Sequence, residues 1–351
     1  MKNLFPFLLC TFVVVGLSAQ VTTFGTNAGT LGVAASYYGQ EAGQNASASA
    51  KNNTYVGHQA GRYDVAGDNN SFFGTQAGYK QESGSNNTYI GVQSGYVGGG
   101  SANNTCVGVQ SGNNMELAKG NVFVGVRAGF TTSSGGANVA LGYGAAQNMG
   151  NENGNTMIGH QSGYSFVEGT DNTMLGKRAG YVKTGGSYNV FLGAEAGTKN
   201  VGGTGNIFLG YRAGFYETGS NQLYIENSDK EVPLIYGDFR GDRVGINTKN
   251  VPFGYTLAVD GKVMAEEVRV QLSENWPDYV FDPDYELMSI TELKQYVAQH
   301  RHLPEIPSAQ ELADTGGVDL GDMNHLLLKK VEELSLYIIQ LQEEIEILKQ
   351  Q

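Results

Sequence analysis

The sequence predicts a mainly β chain: a parallel β-solenoid (β-roll) of 17-residue coils assembled as a trimer, then a short β-stem and a C-terminal α-helical coiled coil. Three observations carry that prediction. Ten copies of a 17-residue unit follow one another without insertion or deletion, anchored by Gly57, Gly74, Gly91, Gly108, Gly125, Gly142, Gly159, Gly176, Gly193 and Gly210. Each anchor follows an apolar residue, from Val56 and Phe73 through to Leu209, and a β-forming triplet such as Thr88-Tyr89-Ile90. The last segment, from about Met323, carries heptads. A fixed period of this length means stacked, near-identical coils that bury a core only together.

Residues 1–19 read as a secretion signal. Lys2 is followed by the apolar stretch Leu4 to Leu17 and by the small residues Ser18 and Ala19. Cys10 sits inside that apolar stretch, so it lacks the setting of a lipoprotein cysteine. With the signal removed, no segment approaches the roughly 18 apolar residues of a membrane span. Cys106 then remains as a single cysteine, in a slot held elsewhere by Tyr55, Phe72 and Phe123, and reads as a packing residue.

The formal net charge is −12, and −10 of it falls between Trp276 and Gln351, where 15 acidic side chains face 5 basic ones. There is no basic stripe, which excludes nucleic acid as the expected partner. Of the 51 glycines, 42 lie between Gly25 and Gly219. Their strict spacing argues for turns in an ordered stack rather than disorder.

The repeat region spans 20–227. Asn53, Asn70 and Asn87 stand four residues before Gly57, Gly74 and Gly91, and Gly61, Gly78 and Gly95 stand four after; the one exception to this second glycine is Ala146. Seventeen residues can hold two short strands and two tight connections. Stacked in register they add about 4.8 Å per coil. Adjacent strand residues point to opposite faces. Both are apolar here, so the outer face expects cover from a neighbouring chain. Gln59, Gln76, Gln93, Gln110, Arg127, Gln161, Arg178 and Arg212 form a polar row, which reads as a solvated ladder with a glycan as its alternative occupant.

Period and pattern stop at Asn227. Short strands are expected in a connector over 228–275, at Leu234–Phe239, Arg243–Ile246 and Tyr255–Val263. In 276–351, Ser289-Ile-Thr-Glu292 and Ser308-Ala-Gln-Glu311 are capping boxes that start two helices, the first ending at Leu303-Pro304 and the second at Gly316-Gly317. The coiled coil over 323–350 places Asn324, Val331, Ile338 and Ile345 at a, and Leu327, Leu334, Leu341 and Leu348 at d. That seam alone favours two strands. Leu326, Leu328, Leu336, Tyr337, Ile339 and Ile347 lie outside it and ask for more neighbours, which favours three.

The pattern N-x-x-[VIL]-G-x-x-[AS]-G over Gly25 to Asn227 resembles the head repeats of trimeric autotransporter adhesins, which implies a left-handed parallel β-roll assembled as a trimer. Those adhesins end in a membrane barrel. This chain's last segment is a polar helix, so self-anchoring is not implied. Trp276-Pro-Asp-Tyr-Val-Phe281, His302-Leu-Pro-Glu-Ile-Pro-Ser-Ala309 and Leu326 to Tyr337 resemble the C-terminal region of secreted bacterial tail-fibre-like proteins. That region is related in role to the intramolecular chaperones of phage tail spikes, some of which cut themselves off. Their entry motif S-D-x-R-x-K is absent, its nearest text being Ser273-Glu274-Asn275-Trp276, so self-cleavage does not carry over.

Chemistry is sparse. His58 and His160 lie six coils apart, and His300 with His302 lacks a third ligand nearby, so no metal or other cofactor is expected. Glu332-Glu333 and Glu343-Glu344 fall mainly on the solvated side of the heptads, and no phosphate-binding glycine loop occurs. The expectation is a secreted homotrimeric fibre or adhesin-like protein at the cell surface, not an enzyme. The competing readings are a self-cleaving tail-spike-type chaperone and a left-handed β-helix acyltransferase. The latter needs an apolar residue at every sixth position, which the repeat does not supply.

Overall fold

The computed structural model describes residues 21–182, 184–270 and 276–350; the signal read at 1–19 and Ser273 lie outside them. The chain divides into two units, one ending at Lys262 and one beginning at Val263.

The first unit is a parallel β-solenoid with coils of about 17 residues. Its strands form one 16-stranded sheet in sequence order, beginning with β1 (Val21–Phe24), β2 (Ala35–Tyr38) and β3 (Thr54–Val56). From β3 to β12 (Ile207–Leu209) each strand is a triplet paired in parallel with its neighbour, as in Tyr55 with Phe72 and Phe72 with Tyr89. The offset is 14 residues between β1 and β2, 18 between β2 and β3, and 16 between β12 and β13 (Gln222–Ile225), so only the end coils are irregular. The expected connector strands form as β14 (Ile235–Asp238), β15 (Arg243–Ile246) and β16 (Leu257–Val259), continuing the same sheet. β14 runs antiparallel to both its neighbours.

Each coil holds one strand rather than two. The far side is held by turns and a few isolated bridges, such as Lys80 with Val97 and Lys119 with Gly136. The cause is backbone conformation. In the first full coil Asn52, Gln59 and Gly61 sit at φ 56–57° and Gly57 at φ 136°, and the pattern recurs along the stack. Such residues cannot propagate an extended strand.

The interior is a stack of single side chains. Tyr37, Tyr55, Phe72 and Tyr89 lie ring over ring with centroids 4.8–5.2 Å apart, and Cys106, Phe123, Ala140, Met157, Met174, Phe191 and Phe208 continue the column, all buried. Offset stacking at that distance adds to the area buried by each ring. Seven residues past the anchor a second buried column runs through Asp64, Gln81, Met115, Thr132, Met149 and Phe166.

The second unit contains a 3-10 turn (Pro277–Phe281), α1 (Ile290–His300), α2 (Ala309–Thr315) and α3 (Leu320–Gln350). Both capping boxes form as expected. α1 stops earlier than Leu303-Pro304, because Arg301 adopts a left-handed conformation at φ 63° and its N–H closes on Val297 O. α3 starts three residues before Met323. Tyr337 ties the segment just before α1 to α3, its hydroxyl donating to Met288 O at 2.6 Å. α1 and α2 bury no residue.

Candidate functional site

The repeat residues singled out from the sequence are the solenoid's joints. Asn53, Asn70 and Asn87 lie inside the stack. The Asn70 N–H donates to Asn53 Oδ1 and the Asn87 N–H to Asn70 Oδ1, each at 2.9 Å. Their own amides reach the carbonyls of Gly67, Gly84 and Ser101, 14 residues on. Each asparagine therefore closes its own coil and ties to the next, which satisfies polar groups that water cannot reach. Gly57, Gly74 and Gly91 are fixed by close approach: a Cβ on Gly57 would stand 2.5 Å from Gly74 O. Gly61, Gly78 and Gly95 lie against the ring column, where a Cβ on Gly78 would stand 2.4 Å from Phe72. Ala146 is tolerated because the strand residue of its coil is Ala140, which leaves the space a ring fills elsewhere.

Two surfaces remain for function. The first is the outer face of the sheet. Phe73, Ile90, Leu141, Leu175 and Leu192 stand there 38–44 % exposed, and Val92, Val109, Val126 and Tyr143 extend the face one rank further. At about 4.8 Å per coil, ten coils make an apolar strip about 48 Å long. Contiguous exposed apolar side chains rimmed by polar ones mark contact surfaces. Beside it runs the polar row. Gln76 donates to Gln59 at 2.9 Å, Gln93 to Gln76 and Gln110 to Gln93 at 3.0 Å, and Arg127 Nε to Gln110 at 3.0 Å. Arg178 bonds Gln161, and Arg212 pairs with Glu195 at 2.8 Å. It is a ladder, as expected, with partners between coils.

The second is the heptad seam of α3. Leu327, Val331, Leu334, Ile338, Leu341, Ile345 and Leu348 are all exposed, while Tyr337, outside the seam, is buried. Glu332 departs from the expected solvated position: it is buried and its Oε2 has no hydrogen-bond partner. Glu333 accepts from Tyr285 Oη and from Lys330. Lys329 and Lys330 both reach Glu305, at 2.7 and 2.9 Å.

The histidines do not assemble a site. His160 stacks on Tyr143, and His300 and His302 flank Tyr296. Among the described residues no group of three or more His, Cys, Asp or Glu side chains is placed to hold a metal ion, and no helix is long and apolar enough to cross a membrane. Cys106 is buried with Sγ 3.9 Å from Met115 Sδ, and burial pushes its thiol well above the usual range, so it is packed and unreactive.

Sequence reasoning missed the second interior column. Its residues vary from coil to coil because each answers the strand residue beside it. Asp64 accepts from Tyr55 Oη, Gly67 N and Asn70 Nδ2, and Met149 shares the interior with Ala140. Burial pushes the Asp64 carboxyl up to about 7 against the pull of those donors. The available signal was covariation between columns rather than constancy within one.

No protein-family model matches the chain, and no curated protein or solved structure shows significant similarity to it.

Proposed function

We propose that the chain is the subunit of a secreted homotrimeric fibre that works by extracellular contact, with no catalytic role. The observation that carries this reading is the pair of exposed apolar seams, the outer sheet face and the a/d positions of α3. A second copy has the same 4.8 Å coil period and so meets the sheet face rank for rank. Two partner helices would cover α3 on its seam and on Ile339 and Ile347, which are also exposed. Gln76, Gln93 and Gln110 each spend one amide N–H on the glutamine one coil before, which leaves donors for a glycan or another cell-surface receptor.

The test is sedimentation equilibrium of the mature protein at micromolar concentration. Three times the monomer mass is expected, and a stable folded monomer would sink the proposal. Binding of the trimer to a glycan array then addresses the receptor.

A further inference from the structure

The second unit holds a groove of about 710 Å³ between α1, α2 and the start of α3. Leu312, Met323 and Leu326 give it apolar walls, and Glu311, Asp319 and Asp322 add carboxylates. The Glu311 carboxylate is taken by its own capping box. Those of Asp319 and Asp322 are exposed and make no ion pair among the described residues.

The same region, 276–351, holds five basic side chains. Lys329 and Lys330 are paired with Glu305, and Lys349 stands in the last turn of α3. The other two, Lys294 and Arg301, are exposed and make no ion pair among the described residues. They belong to one row of α1. Ile290, Lys294 and Val297 share a helix face, and Arg301, the C-cap, ends it. Ile290 is 43 % and Val297 39 % exposed. Tyr296 stands on the other side of α1 and lines the groove. The row with Lys294 therefore points away from the groove of its own chain. A basic apolar face and an acidic apolar groove are complementary, and one chain cannot bring its own two together.

We propose that the α1 face of Ile290, Lys294, Val297 and Arg301 docks in the groove of a second copy of this chain, where Asp319 and Asp322 receive the two cations. This rests on the trimer reading above and adds to it a specific contact outside both apolar seams. It is the helix-in-groove mode of recognition, with apolar anchors spaced along one helix face. Repeated round a three-fold axis, each copy gives one α1 and receives one, so the contact closes. It also supplies the cover that α1 and α2 lack in a single chain, where neither buries a residue.

The test refolds nitrogen-15-labelled and unlabelled full chain together, couples lysines to carboxylates with a water-soluble carbodiimide, and reads the joined peptides by mass spectrometry. Mixed-isotope pairs joining Lys294 to Asp319 or Asp322 are expected. Pairs of a single isotope only, or none, overturn the docking. Sedimentation of the same sample at three times the monomer mass would show that the trimer reading survives that failure. A cycle of variants gives a second readout. Lys294→Glu with Arg301→Glu sets like charges against the groove and should lower the midpoint of far-UV helix loss by roughly 4–8 °C. Combined with Asp319→Lys and Asp322→Lys, it should lose less than the sum of the two separate effects. Combined instead with Glu343→Lys and Glu346→Lys, which restore the same net charge away from the groove, the effects should add. No loss in the first variant, strict additivity with the groove aspartates, or equal recovery from the distant pair overturns the contact.

Discussion

The interior of each coil is a volume exchange between a few side chains, and this makes glycine and ring interdependent. Gly78 sits at φ 60° against the Phe72 ring, so Gly78→Ala both strains the backbone and overpacks the column, at a cost of roughly 3 kcal/mol. Phe72→Ala alone leaves a cavity and should cost about 3–5 kcal/mol. The double variant reproduces the Ala140 and Ala146 pairing of the sixth coil, so its cost should fall short of the sum by at least about 1 kcal/mol. Strict additivity in urea unfolding would show that the ring and the glycine do not share that space. Asp64 makes the interior sensitive to pH as well. Its folded value of about 7 lies above the ordinary 3.8. Its contribution is therefore fully present below about pH 4 and is lost as pH rises through 7. The loss is on the order of 4 kcal/mol by that difference. Asp64→Asn keeps the shape and removes the titration. The wild type minus variant difference in unfolding midpoint should therefore rise in the wild type's favour from pH 8 to pH 4, and a difference constant across that range would refute the assignment.

At the scale of elements, much of the fold was legible because the signals were local. Period, strand triplets and capping boxes each depend on residues within one turn or one coil, and β14, β15, α1 and α2 form where those signals stand. The single strand per coil was not legible. It follows from left-handed backbone at Asn52 and Gln59, and neither side chain demands that conformation the way a glycine does. The candidate site divides the same way. Asn53, Gly57 and Gly61 announce themselves by recurrence, whereas Asp64 matters because it differs from its equivalents in other coils. In the second unit α1 and α2 bury no residue, so their caps carry an unusual share of their stability. Ser308→Ala removes the hydroxyl that accepts from the Glu311 N–H, leaves the backbone bond from residue 308 to the Glu311 carboxylate, and should cost the helical unit about 1 kcal/mol, read as an earlier loss of far-UV helix signal on heating. No change would mean that contacts between copies, rather than the cap, fix α2.

For the whole molecule the question is how three solenoids would find a common register. The sheet face repeats every coil with nearly the same apolar residues, so a slip of one coil costs little contact and is weakly opposed. Pairings of this kind are also slow, because chain entropy is lost before many contacts reward it. α3 has the opposite character. Its seam runs from Leu327 to Leu348, with Asn324 at an a position, where a polar residue specifies alignment at some cost in stability. Helices also form on the microsecond scale, well before extended sheet. The helical unit should therefore associate first and hold the chains in register while the coils stack. Deleting 323–350 leaves every coil intact, so a solenoid that assembles unaided would lose nothing. The expected outcome is instead aggregate or mixed oligomers on refolding, read by size-exclusion chromatography with light scattering. Replacing Leu334 and Leu341 by Asp should do the same without shortening the chain, since two charges in the seam prevent helix association. If either variant refolds to a uniform trimer as fast as the full chain, the helices serve some purpose other than registration.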